Sequence, residues 1–108
     1  MRVTAEMSLY PLQGQPLEKI LAFIEIIASE PRLEVVVNQL STQVRGELEV
    51  VMGTIAAATE RSFHGGGAQA LVLKILNGDL PIGEPPTAMD GVSAAKAGGN
   101  LRPILEPK

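Results

Sequence analysis

The chain has 108 residues, a formal net charge of −3 and 45% hydrophobic residues. That length fits one domain, and that apolar fraction is enough to form a core, which argues against a wholly disordered chain. The basic residues are scattered singly, so the clustered positive surface of a nucleic-acid-binding protein is not predicted. Cysteine is absent, which excludes disulfides, a thiolate nucleophile and cysteine-based metal sites.

The N-terminal segment predicts neither export nor membrane insertion. A charged residue interrupts residues 1–6 before any apolar run forms, so they do not resemble a secretory signal. The longest apolar stretch, residues 20–28, carries Glu25 and is far shorter than the roughly 20 residues that a membrane span needs. We therefore expect a cytoplasmic protein that does not bind membranes.

A strand and a helix are predicted first. Residues 3–10 alternate between apolar and polar, which predicts a half-buried strand that ends at Pro11. Pro16 suits the first turn of a helix, where its missing N–H costs nothing. Apolar residues then recur at helical spacing and predict one broad buried stripe, before Pro31 ends the helix. The stripe consists of Leu17, Ile20, Leu21, Ile24, Ile27 and Ala28.

Two strands, a second helix and a fourth strand follow. Residues 33–37 are rich in β-branched side chains, and residues 42–45 return after a turn, which predicts a hairpin that Gly46 ends. Apolar residues then recur at helical spacing as far as the glycines that follow His64. Residues 68–76 predict the last strand.

The resulting order, βαββαβ, predicts an α+β domain with the ferredoxin-like fold. In that fold a four-stranded antiparallel sheet carries both helices on one face. We assign this domain to residues 1–80. Residues 81–108 are rich in proline and glycine and show no sustained period, so they are predicted to be a C-terminal tail. The tail allows a short helical turn over residues 93–97 and docking through apolar residues such as Leu101.

Catalytic groups are sparse. His64 is the one histidine of the chain, and a histidine near a helix C-terminus is well placed as a solvated residue. A histidine followed by glycines also occurs in lipases, but the Gly-x-Ser-x-Gly nucleophile elbow that accompanies it there is absent from this sequence. The glycine-rich motifs that bind phosphate are absent as well. The carboxylates are dispersed, so no acid–base pair can be named. We expect no catalytic residue, no metal site and no enzymatic activity.

Thr42 is the polar residue that the strand pattern singles out. It alternates with Leu40 and Val44, so its hydroxyl should point toward the helices. A buried hydroxyl needs a partner. That partner is either a nearby main-chain carbonyl or a ligand in a pocket between sheet and helices.

The opposite, bare face of the predicted sheet is polar and mixed in sign. One interpretation is a face left to solvent, as one-sided antiparallel sheets permit. The other is a self-complementary subunit interface, in which Glu6 or Glu34 pairs with Arg45 or Lys74 of another chain.

Two separated segments resemble one known family. Residues 3–12, Val-Thr-Ala-Glu-Met-Ser-Leu-Tyr-Pro-Leu, resemble the opening strand of the thiamine-binding, YkoF-like family. Residues 40–47, Leu-Ser-Thr-Gln-Val-Arg-Gly-Glu, resemble its second signature, in which a Thr precedes an apolar position by two residues and Gly and an acidic residue follow. The resemblance covers residues 1–80 and implies the ferredoxin-like fold that the pattern predicts independently.

The resemblance also implies a function. Family members bind thiamine or hydroxymethylpyrimidine without catalysis or a cofactor, in vitamin uptake, salvage or sensing. They assemble through their sheets, which implies a homodimer or homotetramer through the sheet face and no nucleic-acid partner. Carried over by motif, Ser8 and Thr42 are the polar ligand contacts, with Tyr10 and Glu47 as further candidates. Hydroxyls suit the pyrimidine edge, and a carboxylate or an aromatic face suits the cationic thiazolium.

Two other functions stay open at this point. The polar sheet face and the lack of catalytic groups also fit a regulatory or assembly module that binds a protein partner or another small effector. A small dimeric enzyme of the α+β barrel type would have to use Tyr10 and His64 in a polar pocket beside the sheet.

Overall fold

The structure is a computed structural model and describes residues 1–84. Its strands form one antiparallel sheet in the order β2-β3-β1-β4. With two helices between the strands, this is the predicted ferredoxin-like fold. The helical turn and the docking predicted for the tail lie outside the described residues. The elements are β1 Arg2–Pro11, α1 Pro16–Ala28, β2 Glu34–Val37, β3 Thr42–Glu47, α2 Leu48–His64 and β4 Gln69–Leu76.

Strand β1 lies between β3 and β4 and sets the register of the sheet. It pairs with β3 as far as Met7↔Thr42, and with β4 as far as Pro11↔Gln69. Residues 8–11 of β1 therefore have a partner strand on the β4 side only. This overhang of β1 positions the site described below.

The core lies between the helices and one face of the sheet. Alternate residues of β1 supply its floor, as the strand pattern predicts. Helix α1 adds Phe23 and Ile27, which are one helical turn apart. Helix α2 adds Val51, Ile55 and Ala58. The buried residues of β1 are Val3, Ala5, Met7 and Leu9, each at most 6% exposed.

Helix α1 is rotated relative to the predicted stripe. Leu17 and Leu21 are 67% and 54% exposed, whereas Phe23 is 2% exposed. The prediction that both leucines are buried is wrong. A stripe of six positions covers more of the helix surface than one sheet face can bury, and the helix rests on its largest side chain, Phe23, together with Ile27.

Gly46 does not end strand β3, which corrects the prediction. The strand continues to Glu47, and Gly46 pairs with Val3. A Cβ atom on Gly46 would lie 2.6 Å from Cδ2 of Leu33. A side chain at position 46 would therefore have to displace the Leu33 side chain, which packs against the strand here, and the chain does not turn at Gly46.

The chain after β4 crosses back over the bare face of the sheet. The Thr4 hydroxyl donates to the Gly78 carbonyl oxygen at 2.7 Å and accepts from the Leu80 N–H at 2.9 Å. Arg45 Nη1 donates to the Leu80 carbonyl oxygen at 2.8 Å. One end of the bare face is thus covered by residues of the same chain.

The charges on the bare face pair within the chain. Glu6 lies directly opposite Lys74 in the register, with 2.9 Å between Oε1 and Nζ. Glu34 lies opposite Arg45 and accepts a hydrogen bond from its Nε at 2.8 Å. Direct cross-strand neighbours therefore pair these charges within one chain, and the pairing between subunits stays a prediction. The Lys74 ammonium and the Ser41 hydroxyl hold the pKa of Glu6 below its ordinary value.

Within residues 1–84, neither helix combines the length and the apolar character that a bilayer crossing requires.

Candidate functional site

A cavity of about 200 Å³ opens between helix α1 and the end of the sheet. Three segments form its wall: residues 7–10 of β1, residues 20–24 of α1, and residues 38–42 at the β2–β3 turn. The α1 side is apolar, and the turn side supplies hydroxyl and amide groups. Because a cavity of about 150 Å³ holds a benzene molecule, this one has room for a single substituted ring.

The cavity exists because β1 extends beyond β3. Strand β3 begins at Thr42. The residues that precede Thr42 turn away from β1 and do not pair with it. The Asn38 N–H donates to the Ser41 carbonyl oxygen at 2.8 Å and closes this turn. The Ser8 hydroxyl donates to the Leu40 carbonyl oxygen at 2.8 Å and fixes the turn against β1. The space left between turn, overhang and helix is the cavity.

Thr42 places a hydroxyl in the wall of the cavity. It is 4% exposed and pairs with Met7, so it lies on the helix side of the sheet, as predicted. The local main-chain partner considered from the sequence is not formed: within residues 1–84, the Thr42 hydroxyl makes no hydrogen bond. The hydroxyls that donate hydrogen bonds there are those of Thr4, Ser8, Ser29, Ser41 and Ser62.

The Thr42 hydroxyl is open to this cavity. Within residues 1–84, Thr59 is the residue whose fully buried side-chain oxygen lacks a partner, and Thr42 is not in that position. A polar atom of a ligand or a water in the cavity can therefore hydrogen-bond with the Thr42 hydroxyl. The residue therefore favours occupants that carry a hydrogen-bonding edge.

Ser8 and Tyr10 also line the cavity. Since the Ser8 hydroxyl hydrogen is used on Leu40, its oxygen is left as an acceptor. The Tyr10 side chain is 51% exposed at the mouth and presents an aromatic surface to solvent. The structure thus brings three of the four predicted site residues together around one space.

Glu47 lies away from the other three, at the far end of β3. It pairs with Arg2 in the register, and its carboxylate accepts a hydrogen bond from the N-terminal ammonium at 3.0 Å. This contact raises the pKa of the ammonium. Glu47 occupies the N-cap position of α2 and not its first turn. It does not line the cavity.

The apolar wall contributed by α1 is the part of the site that sequence reasoning missed. Ile20, Phe23 and Ile24 line the cavity, and only Ile20 and Ile24 belong to the predicted stripe. Their spacing of three and four residues places them on one side of a helix. That spacing was the available signal, but it gave no sign that the surface would be left partly open.

The cavity is lined by neutral side chains. Its lining contains hydroxyls, amides and apolar groups, and no carboxylate, amine or imidazole among the described residues. His64 lies elsewhere, exposed at the end of α2, with its Nε2 3.7 Å from Glu60 Oε2. Residues 1–84 also hold no group of three or more His, Cys, Asp or Glu that could bind a metal ion.

Several solved structures share this fold. A protein from Streptococcus pneumoniae gives a TM-score of 0.68 at 20% identity over 74% of this chain and 90% of its own. A protein from Methanocaldococcus jannascii gives a TM-score of 0.63 at 24% identity over 93% of this chain and 98% of its own. A Thermotoga maritima protein of proposed thiamine biosynthesis or salvage function gives a TM-score of 0.63 at 24% identity over 88% of this chain and 99% of its own.

These similarities establish architecture. No protein-family model and no curated protein matches the chain. The structural matches cover most of this chain and nearly all of the two proteins at 24% identity. The chain therefore has the ferredoxin-like fold of these proteins.

Proposed function

We propose that the protein binds thiamine or hydroxymethylpyrimidine without catalysis, in uptake, salvage or sensing of the vitamin. The observation that carries this proposal is the unpartnered hydroxyl of Thr42 in the wall of a cavity sized for one ring. The choice of ligand is supported by the resemblance of residues 3–12 and 40–47 to the thiamine-binding family. The proposed thiamine role of the Thermotoga maritima protein agrees with that choice.

In the proposed complex the pyrimidine ring occupies the cavity. Its faces pack against Ile20 and Phe23, and its polar edge meets the Thr42 hydroxyl and the Ser8 oxygen. A ring of this kind carries both donors and acceptors, which suits the hydroxyls of the wall. The volume of about 200 Å³ accommodates the pyrimidine and leaves the thiazolium of thiamine at the mouth.

At the mouth, Tyr10 is the group that suits a cation. Its ring is half-exposed, and a cation over an aromatic face is stabilised by about 0.5–1 kcal/mol at such sites. Glu47 takes no part in this arrangement, because it lies at the opposite end of β3. Hydroxymethylpyrimidine should therefore retain most of the affinity of thiamine.

The experiment is a thermal-shift titration of Thr42→Val and Thr42→Ser against the unchanged protein. A ligand that binds only the folded state raises Tm, by about 4–8 °C per kcal/mol in a domain of this size. Thr42→Val should lose most of the shift produced by either compound, whereas Thr42→Ser should keep it. Without ligand, Thr42→Val should be about as stable as the unchanged protein, since the Thr42 hydroxyl gives up no hydrogen bond within residues 1–84.

Two outcomes would contradict the proposal. The first is the absence of any shift with thiamine and with hydroxymethylpyrimidine at millimolar concentration. The second is a shift that Thr42→Val leaves unchanged, which would place the ligand outside this cavity.

A further inference from the structure

The β2–β3 turn, which forms the polar wall of the cavity, is held against β1 by side chains of that strand. The Ser8 hydroxyl donates to the Leu40 carbonyl oxygen at 2.8 Å. The Glu6 carboxylate accepts a hydrogen bond from the Ser41 hydroxyl at 3.0 Å. Leu40 and Ser41 line the cavity, whereas Glu6 does not. A residue outside the cavity therefore contacts the wall from the opposite side.

Glu6 reaches the turn from the bare face of the sheet. Its neighbours in β1 are buried under the helices, so the Glu6 side chain points away from them. Its register partner in β3 is Gln43. Ser41 precedes Gln43 by two residues and therefore lies on the same face, diagonal to Glu6 and within its reach. The register of β1 and β3 thus brings the carboxylate to the turn.

The two oxygens of the Glu6 carboxylate have different partners. Oε1 lies 2.9 Å from Lys74 Nζ, and Oε2 accepts the Ser41 hydroxyl. The Lys74 side chain is 76% exposed, whereas that of Glu6 is 35% exposed, so solvent screens the ion pair more than the bond to Ser41. Both contacts hold the pKa of Glu6 below its ordinary value. The carboxylate is therefore ionised at neutral pH, and hydrogen bonds to ionised groups are about twice as strong as neutral ones.

The turn depends on these side-chain contacts because other contacts fix it weakly. The Leu40 side chain is 88% exposed, so it adds little packing. The bond from the Asn38 N–H to the Ser41 carbonyl oxygen closes the turn on itself and does not attach it to β1. The residues before Thr42 do not pair with β1. Loss of the bond to Glu6 should therefore loosen the turn.

We propose that Glu6 is a positioning residue of the cavity, which holds the β2–β3 turn, through Ser41, in the arrangement that binds the ligand. This inference rests on the proposed function, because the ligand is the compound proposed there. Glu6 itself does not contact the ligand. It sets the fraction of molecules in which the turn forms the cavity wall, and the apparent dissociation constant rises as that fraction falls.

The first test compares Glu6→Met with Glu6→Gln by calorimetric titration with hydroxymethylpyrimidine. Methionine has a similar length but no oxygen for Ser41, whereas the glutamine amide hydrogen-bonds with a hydroxyl in either orientation. We expect the dissociation constant to rise about tenfold in Glu6→Met and about threefold in Glu6→Gln, since the neutral bond is weaker. This partial rescue by glutamine separates the bond to the turn from a general loss of sheet stability.

Glu34 supplies a matched control on the same face of the sheet. It forms an ion pair with Arg45, which lies directly opposite it in the register. Glu6 and Lys74 are related in the same way. The Glu34 carboxylate does not contact the β2–β3 turn, so Glu34→Met should keep the dissociation constant within about twofold of that of the unchanged protein.

Amide hydrogen exchange of the unliganded protein tests the turn without any ligand. The Asn38 N–H, which closes the turn on the Ser41 carbonyl oxygen, should exchange at least about threefold faster in Glu6→Met than in the unchanged protein or in Glu34→Met. Ser41→Ala removes the same hydrogen bond from the side of the turn and should have the same effect. Combining Ser41→Ala with Glu6→Met should add nothing further, because both remove one contact.

The outcomes separate this inference from the proposed function. If the unchanged protein bound neither thiamine nor hydroxymethylpyrimidine, the proposed function would be wrong. If the unchanged protein bound the ligand and folded Glu6→Met bound it equally well, the positioning role of Glu6 would be overturned. Equal losses of affinity in Glu6→Met and Glu34→Met would also overturn it. Unchanged exchange of the Asn38 amide in both Glu6→Met and Ser41→Ala would do so whether or not a ligand binds.

Discussion

Two threonine hydroxyls show how much the environment of a single group decides. The Thr4 hydroxyl is buried and makes two hydrogen bonds, to the Gly78 carbonyl oxygen and from the Leu80 N–H. The Thr59 side-chain oxygen, in α2, is buried and has no hydrogen-bond partner within residues 1–84. The same chemical group therefore stabilises the fold at one position and costs free energy at the other.

Replacing each threonine by valine should have opposite effects on stability. Thr4→Val leaves the Gly78 carbonyl oxygen and the Leu80 N–H without their hydrogen-bond partner. It should lower the free energy of unfolding by about 1–3 kcal/mol. Thr59→Val removes an unsatisfied hydroxyl and should be neutral or stabilising. Urea unfolding of both variants measures the difference, and each serves as control for the other. Equal losses would contradict this assignment of the two hydroxyls.

Thr42 marks the limit of what residue patterns can predict. Its orientation follows from the alternation of side chains along a strand, and the structure confirms it. The cavity beside it depends on how far β1 runs past β3. That register is set by long-range pairing of Met7 with Thr42, which no local pattern of residues expresses.

At the scale of elements, the turn after α1 is held by one acidic residue. The Glu30 carboxylate accepts the backbone N–H of Arg32 at 2.8 Å and its Nε at 2.9 Å. These bonds lower the pKa of Glu30 to about 2. The folded state thus prefers the ionised carboxylate more strongly than the unfolded state does.

This preference predicts a loss of stability in acid. The contribution of Glu30 is complete above its unfolded pKa, about 4.3, and is lost as the pH falls from there toward 2. Glu30→Gln should be less stable at neutral pH and should lose less stability between these two pH values. The measurement is the free energy of unfolding as a function of pH.

A second carboxylate in the same helix region supplies the control. Glu25 forms no ion pair within residues 1–84, so Glu25→Gln removes a carboxylate of α1 without removing a contact of the turn. Part of the slope should persist in Glu30→Gln, because the pKa of Glu6 is also lowered by Lys74 and Ser41. An acid limb identical in Glu30→Gln and the unchanged protein would contradict the prediction.

The sequence predicts the order and approximate bounds of the helices and strands, but not how they pack against one another. Proline at position 16 and helical periodicity located α1, and alternation located β1. The rotation of α1, which exposes Leu21 and buries Phe23, depends on how the helix meets the sheet. The sequence likewise predicts a strand end at Gly46, because the close approach of the Leu33 side chain to this glycine is a tertiary contact that no local pattern shows.

In the whole molecule, β1 separates the cavity from strand β4. The cavity lies where β1 overhangs β3, next to α1 and the β2–β3 turn. Strand β4 lies on the other side of β1. Thr42 and Ile75 belong to strands on opposite sides of β1, two strand spacings apart, or about 9–10 Å. They share no hydrogen-bond partner among the described residues.

Ligand binding and the side chains of β4 should therefore be independent. Substitutions this far apart usually combine additively, within about 0.3–0.5 kcal/mol. Ile75→Ala should keep the thermal shift produced by hydroxymethylpyrimidine, whereas Thr42→Val should lose it. In the double variant the change in unfolding free energy without ligand should equal the sum of the two single changes, which thermal and urea unfolding of the three variants measure. If folded Ile75→Ala lost the ligand shift, the prediction would be wrong, and β1 would have to transmit the change at β4 to the β2–β3 turn.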